Sequence, residues 1–136
     1  MSSKIPNFAQ RNKQMSKNKA DELEAMVAVA VHGLQEKKGI KITTLDLRGV
    51  ASAFTDFFVI CHGSSSRQVD ALADSVEDEL RKTLSEKPKH REGSENGEWV
   101  LLDYYNVVIH IFSEEKRDFY ALEELWGDGK LTKHED

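Results

Sequence analysis

The stretch from Thr55 to Arg67, TDFFVICHGSSSR, constrains the fold of this chain more than any other. Phe57 to Cys61 is a continuous apolar run, the pattern of a strand covered on both faces. Gly63 then predicts a sharp turn, because a residue without a Cβ reaches backbone conformations closed to the others. Ser65 stands three residues before Gln68, the spacing of a capping box, which sets a helix start at about Ser66. A buried strand, a glycine and a polar helix N-terminus can together hold an anion, so the chemistry of this turn has to be weighed.

Length and composition bound the answers. The chain has 136 residues, enough for one domain with a real core and too few for two. A net charge of −5 and 32% charged residues are those of a soluble protein. No apolar run nears the roughly 18 residues needed to cross a bilayer. The basic N-terminus lacks the apolar segment of a secretory signal. Cys61 is the only cysteine, which excludes an intrachain disulfide and fits a reducing cytoplasm, so a cytoplasmic protein without membrane contact is expected. Lys4, Arg11, Lys13, Lys17 and Lys19 occur with no acid before Ala20, leaving the remainder more acidic than the net charge implies. An acidic body with a short basic tail points to a basic protein partner rather than to naked nucleic acid.

Residues 1–17 show no hydrophobic periodicity and read as a disordered basic tail. Leu23, Met26, Val27, Ala30, Val31 and Leu34 then follow one helix face, with Gly39 placed to end the helix. Ile40 to Leu47 reads as a first strand, Phe57 to Cys61 as a second, and Ser66 to Leu84 as a helix with Val69, Leu72, Ala73, Val76 and Leu80 inward. Lys89 to Glu92 reads as a short strand and Gly93 to Gly97 as a polar loop. Glu98 to Tyr104 and Val107 to Phe112 form a hairpin. Ser113, followed by Glu114 and Glu115, opens a last helix carrying Phe119, Leu122, Leu125 and Trp126 and ending at Gly127. The expected architecture is a single α+β domain over residues 18–127, a mixed sheet of about five strands flanked by helices, with 128–136 a loose tail.

Several chemistries fail on inspection. Nucleotidyltransferases enter through a similar strand–Gly–Ser–helix unit, but there a strand presents paired carboxylates to magnesium. No Asp-x-Asp occurs here, and without a metal clamp phosphoryl transfer has nothing to neutralise the developing charge. Gly63, Ser65 and Gln68 therefore read as a structural turn and helix cap, with nucleotide binding at Gly63–Arg67 the alternative. The run Gly-Ser-Ser-Ser-Arg lacks the nucleophile elbow of a serine hydrolase. Cys61 lies in an apolar strand, where a thiol is inert. The histidines at 32, 62, 90, 110 and 134 lack zinc-site companions, so neither metal nor cofactor is expected. Aromatics fall within apolar strands rather than among basic residues, which argues against sequence-reading RNA contact.

In order and spacing, a set of segments resembles one family. These are Thr55–Cys61, Gly63–Arg67, Ala73-Asp74, Glu92-Gly93, Trp99, Asp103, Val107–Phe112 (VVIHIF) and Arg117–Trp126 (RDFYALEELW). The chain resembles the ribosomal silencing factors, also called the Iojap family, over roughly residues 20–127. The resemblance implies a nucleotidyltransferase fold without its active site and a protein that is not an enzyme. It also implies binding to the large ribosomal subunit through universal large-subunit ribosomal protein fourteen. The bound factor would obstruct the small subunit and repress translation when nutrients are scarce. A homodimer is implied for the free protein, and a ribosome-assembly adaptor would use the same docking. One departure stands out: the family usually has glycine and an acid where this chain has Tyr105 and Asn106, and Tyr105 is poorly suited to positive φ.

The surplus aromatics and the most distinctive motifs coincide, which predicts where a partner docks. Asp103 and His110 should share a sheet face. Asp103 and Glu123 are expected to meet basic side chains, with Tyr104, Tyr105, Tyr120 and Trp126 supplying apolar contact area. The basic tail is expected to add weak, unspecific attraction to ribosomal RNA.

Overall fold

The computed structural model describes residues 4–93 and 97–135. In chain order the elements are α1 (Lys4–Glu36), β1 (Ile40–Asp46), β2 (Phe57–Gly63), α2 (Ser66–Leu84), β3 (His90–Gly93), β4 (Trp99–Asp103), β5 (Val107–Ser113), α3 (Glu114–Tyr120), α4 (Leu122–Leu125) and β6 (Lys130–Lys133). The six strands form one sheet in the order β3-β4-β5-β2-β1-β6. Among the described residues only β2 and β5 run parallel, Phe57 beside Val107 through Gly63 beside Ser113. Every residue of β2 is buried, as its unbroken apolar run predicts for a strand with neighbours on both edges and layers on both faces.

Two helices cover one face. Leu23, Met26, Ala30, Val31 and Leu34 of α1, with Val69, Leu72, Ala73, Val76 and Leu80 of α2, pack on Ile42, Val59, Val100, Leu102, Ile109 and Ile111. Each such side chain contributes about 1.5–3 kcal/mol by leaving water. The helices approach closely at Gly33, where an added Cβ would lie 3.1 Å from Val76 Cα, and Ser75 Oγ donates to Gly33 O at 2.7 Å. On the opposite face Leu45, Phe58, Ile60, Val108 and Phe112 lie beneath Leu47, Val50 and Ala53 of the β1–β2 connector and beneath Leu122 and Trp126.

The structure departs from the sequence reading at both ends of the chain. Helix α1 starts at Lys4, so residues 4–17, read as disordered, have helical backbone. Pro6 sits in its first turn, where a missing N–H costs nothing, and no glycine follows before Gly33. Lys130–Lys133, read as part of a loose tail, pairs antiparallel with β1 as a sixth strand. Its alternation of Lys, Leu, Thr and Lys suits an edge strand, whose lysines discourage further pairing. Residues 94–96 of the polar loop lie outside the described residues.

Smaller differences concern turns. Lys38, not Gly39, adopts the left-handed conformation that ends α1, at φ 59°. Gly39 is needed for space, since a Cβ there would meet Cys61 Sγ. The last helix is two: Ala121 at φ 46° interrupts the apolar stripe after Tyr120.

Candidate functional site

On the sheet face opposite α1 and α2, covered in part by α4 and the β1–β2 connector, several apolar side chains reach solvent. Around the small core of that face, Phe54 is 70% exposed, Leu125 70%, Phe119 74% and Tyr120 49%. The rings form one connected group. Phe54 meets both Phe58 and Trp126 edge-on, with centroids 5.9 and 6.2 Å apart. Tyr120 stacks on Phe112 at 5.6 Å and abuts Phe119 at 5.2 Å. A shallow apolar groove of about 210 Å³ runs between Trp99, His110, Phe112, Tyr120 and Leu122. Exposed rings grouped in this way mark an interaction surface more often than scattered ones do.

His110 forms part of that groove's lining. It pairs with Leu101 across the hairpin, and Asp103 pairs with Val108, so Asp103 and His110 share a face as the alternation predicts. The ring is edge-on to Phe58 and parallel to Phe112. Trp99 Nε1 donates to His110 Nδ1 at 3.5 Å, which leaves the imidazole proton on Nε2, where no partner is found among the described residues. Burial pushes the pKa of His110 down to about 4, so the ring is neutral at neutral pH.

At the hairpin tip Tyr104 N–H donates to Val107 O and Asn106 N–H donates to Tyr104 O, a γ-turn centred on Tyr105 at φ 74°. The residue forced into positive φ is thus the tyrosine. Its N–H donates to Asp103 Oδ1 at 2.7 Å, and its carbonyl accepts from Thr55 Oγ1 at 2.9 Å. These bonds hold out a ring that is 70% exposed. Tyr104, expected to join it at the rim, instead points to the other face. It is 6% exposed within the core beneath α1 and α2, and burial raises its phenol pKa. Alternation along β4 puts it there: with Asp103 facing the open side, the next residue faces the helices.

The Gly63–Arg67 turn is built as a cap. Ser65 is the N-cap of α2, its Oγ accepting from Gln68 N at 3.1 Å. Gln68 Oε1 accepts from Ser64 N and Ser64 Oγ, one residue earlier than a strict capping box, and its Nε2 donates to Lys37 O and Lys38 O. Gly63 is the last residue of β2 and has no positive φ. Its missing Cβ leaves room for Val69, 3.2 Å from where that atom would be. Gly97, at φ 70°, is seated against Ser66, so closely that a Cβ would collide with Ser66 Cα and Cβ. Backbone thus lies against the helix start where a phosphate would have to approach. No group of three His, Cys, Asp or Glu residues is placed to hold a metal among the described residues.

The sequence matches the family model described as "Ribosomal silencing factor during starvation" over residues 20–136. The chain belongs to that family. It is 38% identical over 115 residues to ribosomal silencing factor RsfS of Halalkalibacterium halodurans, covering 82% of this chain and 94% of that protein. A crystal structure of a Chromobacterium violaceum protein superposes with a TM-score of 0.72 at 34% identity, covering 83% of this chain and 92% of that one. The similarity extends to "Mitochondrial assembly of ribosomal large subunit protein 1" of mouse, 33% identical over 75 residues, 54% of this chain and 33% of that protein.

Three residues of the silencing-factor motif RDFYALEELW occupy places that the sequence did not disclose. Trp126, expected at the docking surface, is half-buried and packs on the sheet. Glu123, expected to face a partner's lysines, is turned inward: its Oε2 accepts from Arg117 Nε and Nη2 at 3.2 and 2.8 Å. Arg117 itself is 7% exposed. A charged residue between Lys116 and Asp118 reads as solvated, and nothing in its local sequence hinted otherwise. Phe54, Phe119 and Leu125 were missed as surface residues because an apolar side chain reads as core by default.

Proposed function

We propose that this silencing-factor family member docks on the large ribosomal subunit through the sheet face opposite α1 and α2 and blocks joining of the small subunit. The observation that carries the reading is the connected group of rings that includes exposed Phe54, Phe119 and Tyr120 with Trp126, next to exposed Leu125 in the chain, on a chain of net charge −5. A hydrophobic centre with Asp103 on the same sheet face, in an acidic chain, is complementary to a basic ribosomal protein, universal large-subunit protein fourteen in our reading. Tyr105 extends this surface at the hairpin tip, and the basic residues of 1–19 add attraction to ribosomal RNA. In the free protein the same apolar face would serve a homodimer. The reading needs no catalysis, and no helix is long and apolar enough to cross a membrane among the described residues.

Density-gradient sedimentation tests it. The purified protein should co-sediment with large subunits and not small ones, and should shift 70S particles toward free subunits. Phe54→Asp with Leu125→Asp, both at exposed positions, should abolish both effects while the protein stays folded. Unchanged joining at saturating protein would refute the mechanism. A role in large-subunit assembly would use the same docking, and the name of the mouse relative favours it. Accumulation of immature large subunits in a deletion strain under rich growth would support that second reading.

A further inference from the structure

Arg117 makes more contacts to other elements than any role of a surface arginine requires. All five N–H groups of its guanidinium have partners on four residues. Nε and Nη2 donate to Glu123 Oε2, Nη2 also to Thr43 Oγ1 at 3.1 Å, and Nη1 to Ile40 O and His62 Nδ1, both at 3.1 Å. These partners come from the β1 bulge, the end of β2 and α4. Arginine's fixed fork suits such a junction, whereas lysine's ammonium offers three donors on a flexible stem.

The pairing with Glu123 has a geometric requirement. On one continuous helix, residues six apart point about 120° away from each other and cannot meet. Ala121, at φ 46°, breaks the helix and folds Glu123 back over Arg117. A left-handed alanine costs about 1–2 kcal/mol and persists only where surrounding bonds enforce it. The same break sets the orientation of Tyr120, Leu122, Leu125 and Trp126, the α3–α4 side of the apolar surface.

We infer that Arg117 is the positioning residue of this docking corner, a latch that holds α3 and α4 in the arrangement the partner meets, and that the latch requires a neutral His62. The inference rests on the docking reading above. Arg117 donates to His62 Nδ1, so that nitrogen must present a lone pair. A proton there would set two cations 3.1 Å apart. The charged groups facing His62 are Arg117, Glu114 and Asp118 from α3 and Lys41 from β1. Glu123, Lys133, His134 and Glu135 line the same cleft of about 1050 Å³. Burial first, and Arg117 next, lower the His62 pKa, with Glu114 and Asp118 opposing them. Acid therefore favours the unlatched form.

Hydrogen exchange on the full chain, paired with large-subunit affinity, tests this. In Arg117→Lys, protection of amides 114–126 should fall about tenfold while β2 and β5 keep theirs, with affinity falling by a similar factor. Lowering the pH from 7.5 to 5.5 should reduce corner protection in the native sequence. It should leave His62→Gln, which still offers an acceptor but cannot charge, unaffected. Should Arg117→Lys destabilise the whole fold, Glu123→Gln must reproduce the local loss. The inference is overturned if the corner stays protected in both variants, if it loosens with unchanged affinity, or if His62→Gln responds to acid like the native chain. Failure of the native chain to bind large subunits would count against the docking reading alone, because the protection factors decide the latch without ribosomes.

Discussion

The carboxylate of Asp103 accepts the backbone N–H of Tyr105 at 2.7 Å and helps hold that tyrosine at φ 74°. Glycine would adopt this backbone without the penalty of about 1–2 kcal/mol borne by a residue with a Cβ, partly offset by its greater freedom when unfolded. Tyr105→Gly should thus leave stability unchanged or raise it by about 1 kcal/mol. Removal of an exposed ring from the docking surface should at the same time weaken large-subunit binding about tenfold. Denaturant midpoints and sedimentation affinities separate the two effects. Unaltered affinity would place Tyr105 outside the interface.

Tyr104 makes a different prediction because its hydroxyl is buried without a hydrogen-bond partner among the described residues. Tyr104→Phe removes an unsatisfied polar group and keeps the ring, so stability should rise by about 1 kcal/mol with binding unchanged. Tyr104→Ala should lose about 3–5 kcal/mol as a core truncation. A loss exceeding 1 kcal/mol in the phenylalanine variant would reveal a partner for the hydroxyl.

Acid should destabilise the fold through His110. Its folded pKa of about 4 lies below the ordinary 6.5, so the unfolded chain takes up the proton first as pH falls. The stabilisation is complete above pH 6.5 and is lost between 6.5 and 4, amounting to about 3 kcal/mol over that window. His62 and His134, also lowered by burial, add in the same direction. Urea titrations at pH 7 and 4.5 should show a smaller pH dependence in His110→Phe than in the native chain. Equal dependence in both would mean that His110 is not the titrating group.

Deletion of residues 1–17 should weaken ribosome binding mainly at low salt, since it removes four basic residues and no acid from a segment that attracts RNA without specificity. Binding isotherms at two salt concentrations decide this. A loss that persists undiminished at high salt would indicate a specific contact.

The elements whose burial follows a local period were legible in the residues. Helix α2 has the bounds its apolar spacing and Ser65 cap predict, β2 announces itself by the unbroken apolar run Phe57–Cys61, and β5 by an apolar run that only His110 interrupts before Ser113. The shared face of Asp103 and His110 followed from alternation. Features that depend on distant partners were not legible. Nothing near Lys130–Lys133 discloses that β1 offers it an open edge, and nothing near Ala121 that Arg117 enforces a helix break there. Tyr104 was misplaced because the family resemblance pointed to its neighbours while the alternation of β4 decided its side.

The one parallel pair at the centre of the sheet has a consequence for the order in which the molecule is made. Strand β5 inserts between β4 and β2, so a nascent chain that ends before Val107 has β2 paired only with β1 and an entire apolar edge uncovered. The α1–β1–β2–α2 half can collect its helices early, but its sheet is completed only by residues more than forty positions later. Long-range parallel pairing of this kind is slow and leaves strand edges exposed to other chains. Synthesis that pauses between Leu84 and Val107 should therefore aggregate or recruit chaperones, whereas a pause after Ser113 should not.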